Sequence, residues 1–229
     1  MSSTTPVWTA RAARIDLAVL GACVVAGAWL APLLPGNAPR TAVAATAAVG
    51  VAWTLIALRR QRVSLRRLGL RGDNLHRSGP VFLGCGLVAS GAFALAGTLD
   101  PTSPGRLADP EALAGYALWA LFQQFLVVAM LWRHAAHWLG SGDPSRVLSV
   151  ANAKLSVVTA LAFALIHAPN LRLMALVWVA ETAWLLLFAR FRNLFALAAA
   201  HAVSALAVAE ALQPHWLSDA RVGLSHLLR

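Results

Sequence analysis

The sequence has little acid and little charge. Nine aspartates and glutamates stand against 19 lysines and arginines in 229 residues, and charged residues of both signs make up only 12%. A soluble domain carries about 25% charged residues, so an ordinary solvated surface is excluded. Cysteine occurs twice, at Cys23 and Cys85, each inside an apolar stretch. That excludes a disulfide framework and a cysteine metal site. Lysine occurs once, at Lys154. Strand-type alternation, internal repeats and a separable soluble domain are all missing, which leaves helix as the building unit.

What is present is apolar. Hydrophobic residues make up 59% of the chain, and the mean hydropathy is +0.66. This exceeds the roughly 45–50% of a globular domain by more than one core can hide, and it places the chain in the membrane class. The net charge of +10 would point to nucleic acid in a soluble protein. In a membrane protein the same surplus is a topology signal, because Lys and Arg stay on the cytoplasmic side.

A helix needs about 20 mostly apolar residues to cross the hydrocarbon core. Seven stretches qualify, at 16–34, 41–58, 79–98, 112–132, 153–168, 172–189 and 194–212. Turn chemistry separates them, as at Pro35-Gly36-Asn37 and Ser141-Gly142-Asp143-Pro144. The expected fold is an all-α integral membrane bundle of about seven helices. With the N-terminus inside, only Arg40, Arg106, Arg172, Arg221 and Arg229 fall on the outer side. The cluster Arg59, Arg60, Arg62, Arg66, Arg67, Arg71 and Arg77 then lies inside, next to anionic lipid. The positive-inside rule therefore predicts N-in and C-out, and nucleic-acid binding is set aside. The first span ends in Leu33-Leu34-Pro35 with no small-residue cleavage site, so it is expected to be a retained helix.

Strongly polar groups inside spans are expensive and mark candidate sites. Gln123 and Gln124 lie in the fourth span, His167 at the end of the fifth, Glu181 in the sixth and His201 in the seventh. By helical rise, His167 is expected nearer the outer face and His201 nearer the inner one, with the Gln pair and Glu181 at mid-depth. The bland readings are an interhelical amide contact for the Gln pair, packing for each His and a helix–helix link for Glu181. His134 and His137, flanked by Trp132 and Trp138, are expected to anchor the chain at the inner interface.

The order of these residues resembles the CPBP family of intramembrane proteases, also called the CAAX-protease and bacteriocin-processing family. Its pattern is Glu-Glu-x-x-x-Arg, then Phe-x-x-x-His, then His-x-x-x-Asn. Phe163-Ala-Leu-Ile-His167 satisfies the second element and continues into Ala168-Pro169-Asn170. His201-Ala-Val-Ser-Ala205 takes the third place, approached by Arg192-Asn193-Leu194-Phe195. Gln123-Gln124-Phe125-Leu126-Val127-Val128 takes the first, and Leu65 to Arg71 looks like the family's linker. The resemblance covers roughly 65–210. It implies an N-terminal region at 1–64, a protease core at 65–212 and a tail at 213–229.

The resemblance further implies a multi-pass protein of a bacterial plasma membrane that cleaves membrane-anchored tails or peptides. Its catalytic candidates are Gln123, Gln124, His167 and His201, with Phe163, Asn170, Glu181 and Ala205 beside them. Lipids and a membrane-anchored substrate are the expected partners, and no cofactor or metal is indicated. In the family a motif-one glutamate, helped by the motif-two His, activates water, and the motif-three His and Asn hold the oxyanion. Here both glutamates are Gln, the Arg position is Val128 and the Asn position is Ala205. An amide cannot act as a general base. Two repairs are open: His167 acts as base while a Gln orients water, or Glu181 supplies the carboxylate. The competing expectation is a catalytically inactive relative that serves as a binder, chaperone or partner. A proton-relaying transporter is a third reading, opposed by the absence of an inverted repeat.

Overall fold

In a computed structural model, residues 10–98, 110–139, 149–212 and 221–227 are described, and they are helical with no strand among them. The helices are α1 (Ala10–Val25), α2 (Ala38–Arg60), α3 (Leu75–Thr98), α4 (Pro110–Leu126), α5 (Arg133–Trp138), α6 (Val150–Leu165), α7 (Leu171–Phe191), α8 (Leu194–Leu212) and α9 (Leu224–Leu227). A π-helical turn at Ala26–Leu30 extends α1, and another at Val127–Trp132 joins α4 to α5. Five helical stretches are long and apolar enough to cross a membrane: Arg11–Leu33, Ala38–Arg60, Leu75–Leu95, Ala114–Trp138 and Leu171–Phe191. The apolar helices Val150–Leu165 and Leu194–Val208 are shorter.

Side-chain caps set several helix starts. Ser149 and Asn170 each accept a hydrogen bond from the backbone N–H three residues on, opening α6 and α7. Asn193 does the same for α8, accepting from Ala196 N at 2.9 Å. Such caps satisfy N–H groups that have no partner inside the helix. Arg59 and Arg60 close α2, where a cation complements the helix dipole.

The core is built on α8. Its buried Ala196, Ala198, Ala200 and Ala202 let other helices come close, and Gly86 of α3 lies directly over Ala200. Small residues at such seams favour backbone approach in membranes. Helix α4 packs on α8, while α6 packs on α7. One apolar cluster gathers Phe82, Phe188, Leu194 and Leu197, and another gathers Trp132, Leu155, Phe163 and Leu185. Outward, Leu87, Val88, Leu118, Leu171 and Val179 are exposed. Apolar side chains on the outside and small ones between helices are the pattern of a membrane bundle.

Helices α1 and α2 form a hairpin tied to the remainder by a buried acid. Asp16 is 1% exposed. It accepts hydrogen bonds from Trp53 Nε1 at 3.1 Å, Arg60 Nη2 at 3.2 Å and Gln61 Nε2 at 3.3 Å. His134 Nε2 stands 3.8 Å from its other face, and Arg133 donates to Gln61 Oε1 at 2.5 Å. His134 and Trp132 therefore differ from the interfacial role expected of them. Both are buried, turned inward by Asp16 and by the Phe188 ring, while His137 and Trp138 remain exposed. The expected tail also has a packed part: Gly223 N donates to Ala168 O at 2.7 Å, with Gly223 in a left-handed turn tight against Ala28.

The linker at 65–74 is a clasp. Gly69 has φ +84°, and a Cβ there would meet Arg192 O at 2.9 Å, so only glycine suits the turn. Gly69 O accepts from Leu194 N at 2.8 Å. The clasp fixes where α7 ends and α8 begins, and so the register of His201.

Candidate functional site

Polar residues of α4, α7 and α8 and of the turn after α6 meet at one cavity of about 590 Å³. Gln123, Phe163, His167, Glu181, His201 and Ala205 all line it. The walls are otherwise mostly apolar and come from α1, α2, α4, α7, α8 and the segment around Val222. A cavity of this size, apolar with a few convergent polar groups, is the usual form of a small-molecule or chain site.

Gln124 is the organising residue. It is fully buried behind the cavity, on the last turn before the π-helical stretch Val127–Trp132. Its Nε2 donates to Glu181 Oε2 at 2.8 Å and meets His201 Nδ1 at 2.9 Å. The amide has two hydrogens, so both contacts are made by donation. His201 Nδ1 therefore accepts, and a neutral His201 carries its hydrogen on Nε2. Glu181 Oε2 also lies 3.8 Å from His201 Nδ1, so carboxylate, amide and imidazole form one compact group.

His167 is arranged the other way round. Its Nδ1 lies 3.2 Å from Phe163 O. A carbonyl can only accept, so Nδ1 donates and Nε2 holds the lone pair. The Phe163 ring stands edge-on to both imidazoles, with centroids 5.1 Å from His167 and 6.4 Å from His201. The one tyrosine, Tyr116, stacks with His201 at 6.5 Å and 15°. The two histidines thus share one cavity despite the difference in depth expected from helical rise. One presents an acceptor nitrogen and the other a donor.

The remaining candidates divide. Gln123 lines the cavity, and its Oε1 is buried without a hydrogen-bond partner. Ala205 lines it one turn beyond His201. Asn170 has a structural duty: it caps α7 and donates to Arg221 O at 3.2 Å, holding the C-terminal segment. Glu181 pairs with His201 through Gln124, a partnership that the different depths expected of the two residues did not suggest. Tyr116 was missed as a site residue, although its spacing of seven from Gln123 puts both on one face of α4. Among the described residues no group of three or more His, Cys, Asp or Glu has the arrangement of a metal site.

No family model, curated protein or solved structure matches the chain.

Proposed function

We propose that the chain is an intramembrane endopeptidase of the CPBP type, acting on membrane-anchored protein tails or peptides. The observation that carries this reading is the pair of opposed imidazoles, His167 with its Nε2 lone pair and His201 with its Nε2–H, lining one apolar cavity. Hydrolysis of an amide needs an acceptor for a water hydrogen and a donor for the developing oxyanion. Those two roles fall to His167 and His201. An oxyanion donor of this sort contributes about 10²–10³ in rate. Apolar walls suit a substrate that arrives through the bilayer.

The same reading takes α6 and α8 as crossing segments, giving seven spans with the N-terminus inside a bacterial plasma membrane. Helix α6 has 16 residues, about 24 Å of rise, which a locally thinned bilayer or flanking loops can accommodate.

The test is cleavage of a panel of membrane-anchored peptides by the purified protein in liposomes. Wild-type protein is expected to cleave at least one, and His167→Ala and His201→Ala are each expected to lose that cleavage. Unchanged cleavage by both variants overturns the mechanism. A second reading, a non-catalytic binder of membrane segments, is favoured by Gln123, Gln124 and Ala205 standing where the family carries Glu, Glu and Asn. It predicts retention of a membrane-anchored peptide without turnover.

A further inference from the structure

The structure assigns Glu181, on α7, as the general base of this site, with Gln124 as its positioning residue. The assignment rests on the peptidase reading above. Two acids are fully buried among the described residues, Asp16 and Glu181, each 1% exposed. Asp16 is saturated: Trp53, Arg60 and Gln61 all donate to it. Glu181 is not. Oε2 is held by Gln124 at 2.8 Å, while Oε1 is buried with no hydrogen-bond partner in a residue that lines the cavity. A carboxylate oxygen left unmatched among apolar side chains is costly, and an atom kept that way in a native site awaits a ligand or a water. The cavity has room for both.

The same carboxylate stands next to the imidazole that carries the oxyanion donor, its Oε2 3.8 Å from His201 Nδ1. One amide, that of Gln124, holds both Glu181 and His201. Gln124 has no proton to take up, so its part is to fix the carboxylate against the imidazole. The reaction then balances. Glu181 Oε1 removes a proton from water as the water oxygen bonds to the scissile carbonyl carbon. His167 Nε2 accepts a hydrogen bond from the water's second hydrogen, which stays on the attacking oxygen, and His201 Nε2–H donates to the carbonyl oxygen as it becomes an oxyanion. When the C–N bond breaks, the proton held by Glu181 passes to the leaving amine, and the carboxylate is restored.

The test uses the full chain in liposomes, with quenched-fluorescence peptides anchored by a palmitoyl chain as probes. Glu181→Gln is expected to lower turnover by about 10²–10⁴-fold, the range of general-base catalysis, with the concentration for half-maximal rate unchanged. The exchange variant Gln124→Glu with Glu181→Gln returns the charge to the same pair and is expected to recover at least about a tenth of wild-type turnover. Dicyclohexylcarbodiimide, an apolar reagent for buried carboxyl groups, is expected to form an adduct on Glu181 in the wild type, read by mass spectrometry without any substrate. Wild-type turnover in Glu181→Gln, alongside an inactive His201→Ala, overturns the assignment of the base and leaves the peptidase reading standing. Absence of the carbodiimide adduct also overturns the assignment. No turnover of any probe by the wild type overturns both.

Discussion

Asn193 donates an amide hydrogen to Asn74 Oδ1 at 2.7 Å, joining positions 119 apart in the chain. The same amide donates to Arg71 O at 3.0 Å, and Asn193 Oδ1 caps α8 through Ala196 N. One fully buried side chain thus welds the 65–74 clasp to the start of the helix that carries His201. Asn193→Ala removes a cap and two buried contacts, and the expected destabilisation is about 2–4 kcal/mol. Tryptophan fluorescence during thermal unfolding in detergent measures it. Asn193→Asp keeps the cap and loses the donors, so its transition is expected between those of Ala and wild type.

Asp16→Ala is expected to loosen the α1–α2 hairpin. It leaves Trp53, Gln61 and Arg60 without their shared acceptor. Because Arg60 is half exposed, its share is screened by solvent, and the total cost is about 1–3 kcal/mol. Faster proteolytic cutting between α1 and α2 at unchanged α6–α8 protection is the expected result. Equal cutting in both regions would show that the acid does not tie the hairpin locally.

Gln124→Leu keeps the volume of the side chain and removes both donors. Glu181 then loses its hydrogen bond at 2.8 Å, and His201 loses the contact that sets its tautomer. The expected cost is about 1–3 kcal/mol for the unmatched buried carboxylate. A nitrogen NMR spectrum of the His201 ring is expected to show the hydrogen no longer confined to Nε2.

Asp73 gives the clasp an acid limit. The Arg71 hydrogen bond at 2.6 Å, followed by the nearby charges of Arg66 and Arg71, holds its carboxyl down to about 2. The folded-state value lies below the ordinary carboxylate value of about 3.9, so the contribution is complete above that pH. It is lost as pH falls towards about 2. The difference in unfolding temperature between wild type and Asp73→Asn is therefore expected to stay constant from pH 8 to about 4 and to shrink below it.

Much of the architecture was legible in the residues themselves. Runs of apolar side chains with Gly, Pro and Asp between them mark helices for a membrane, and five such helices are present. The polar residues worth watching were legible too, because few stand inside those runs. The partners were not. Gln124 meets Glu181 and His201 across separations of 57 and 77 residues. Asp16 looked like the start of a span and turned out to be the centre of a buried cluster. His134 looked interfacial and turned inward. Each of these depends on the rotation and depth of one helix against another, which composition does not encode.

The sequence by itself determined the solvent this chain requires and the helices it forms, because transfer of apolar side chains and capping of helix ends are local in the chain. Only the tertiary structure decided that Glu181, held by Gln124, stands beside His201. The physical reason is that a buried amide satisfies both of its hydrogens, and for Gln124 the two acceptors within reach belong to α7 and α8.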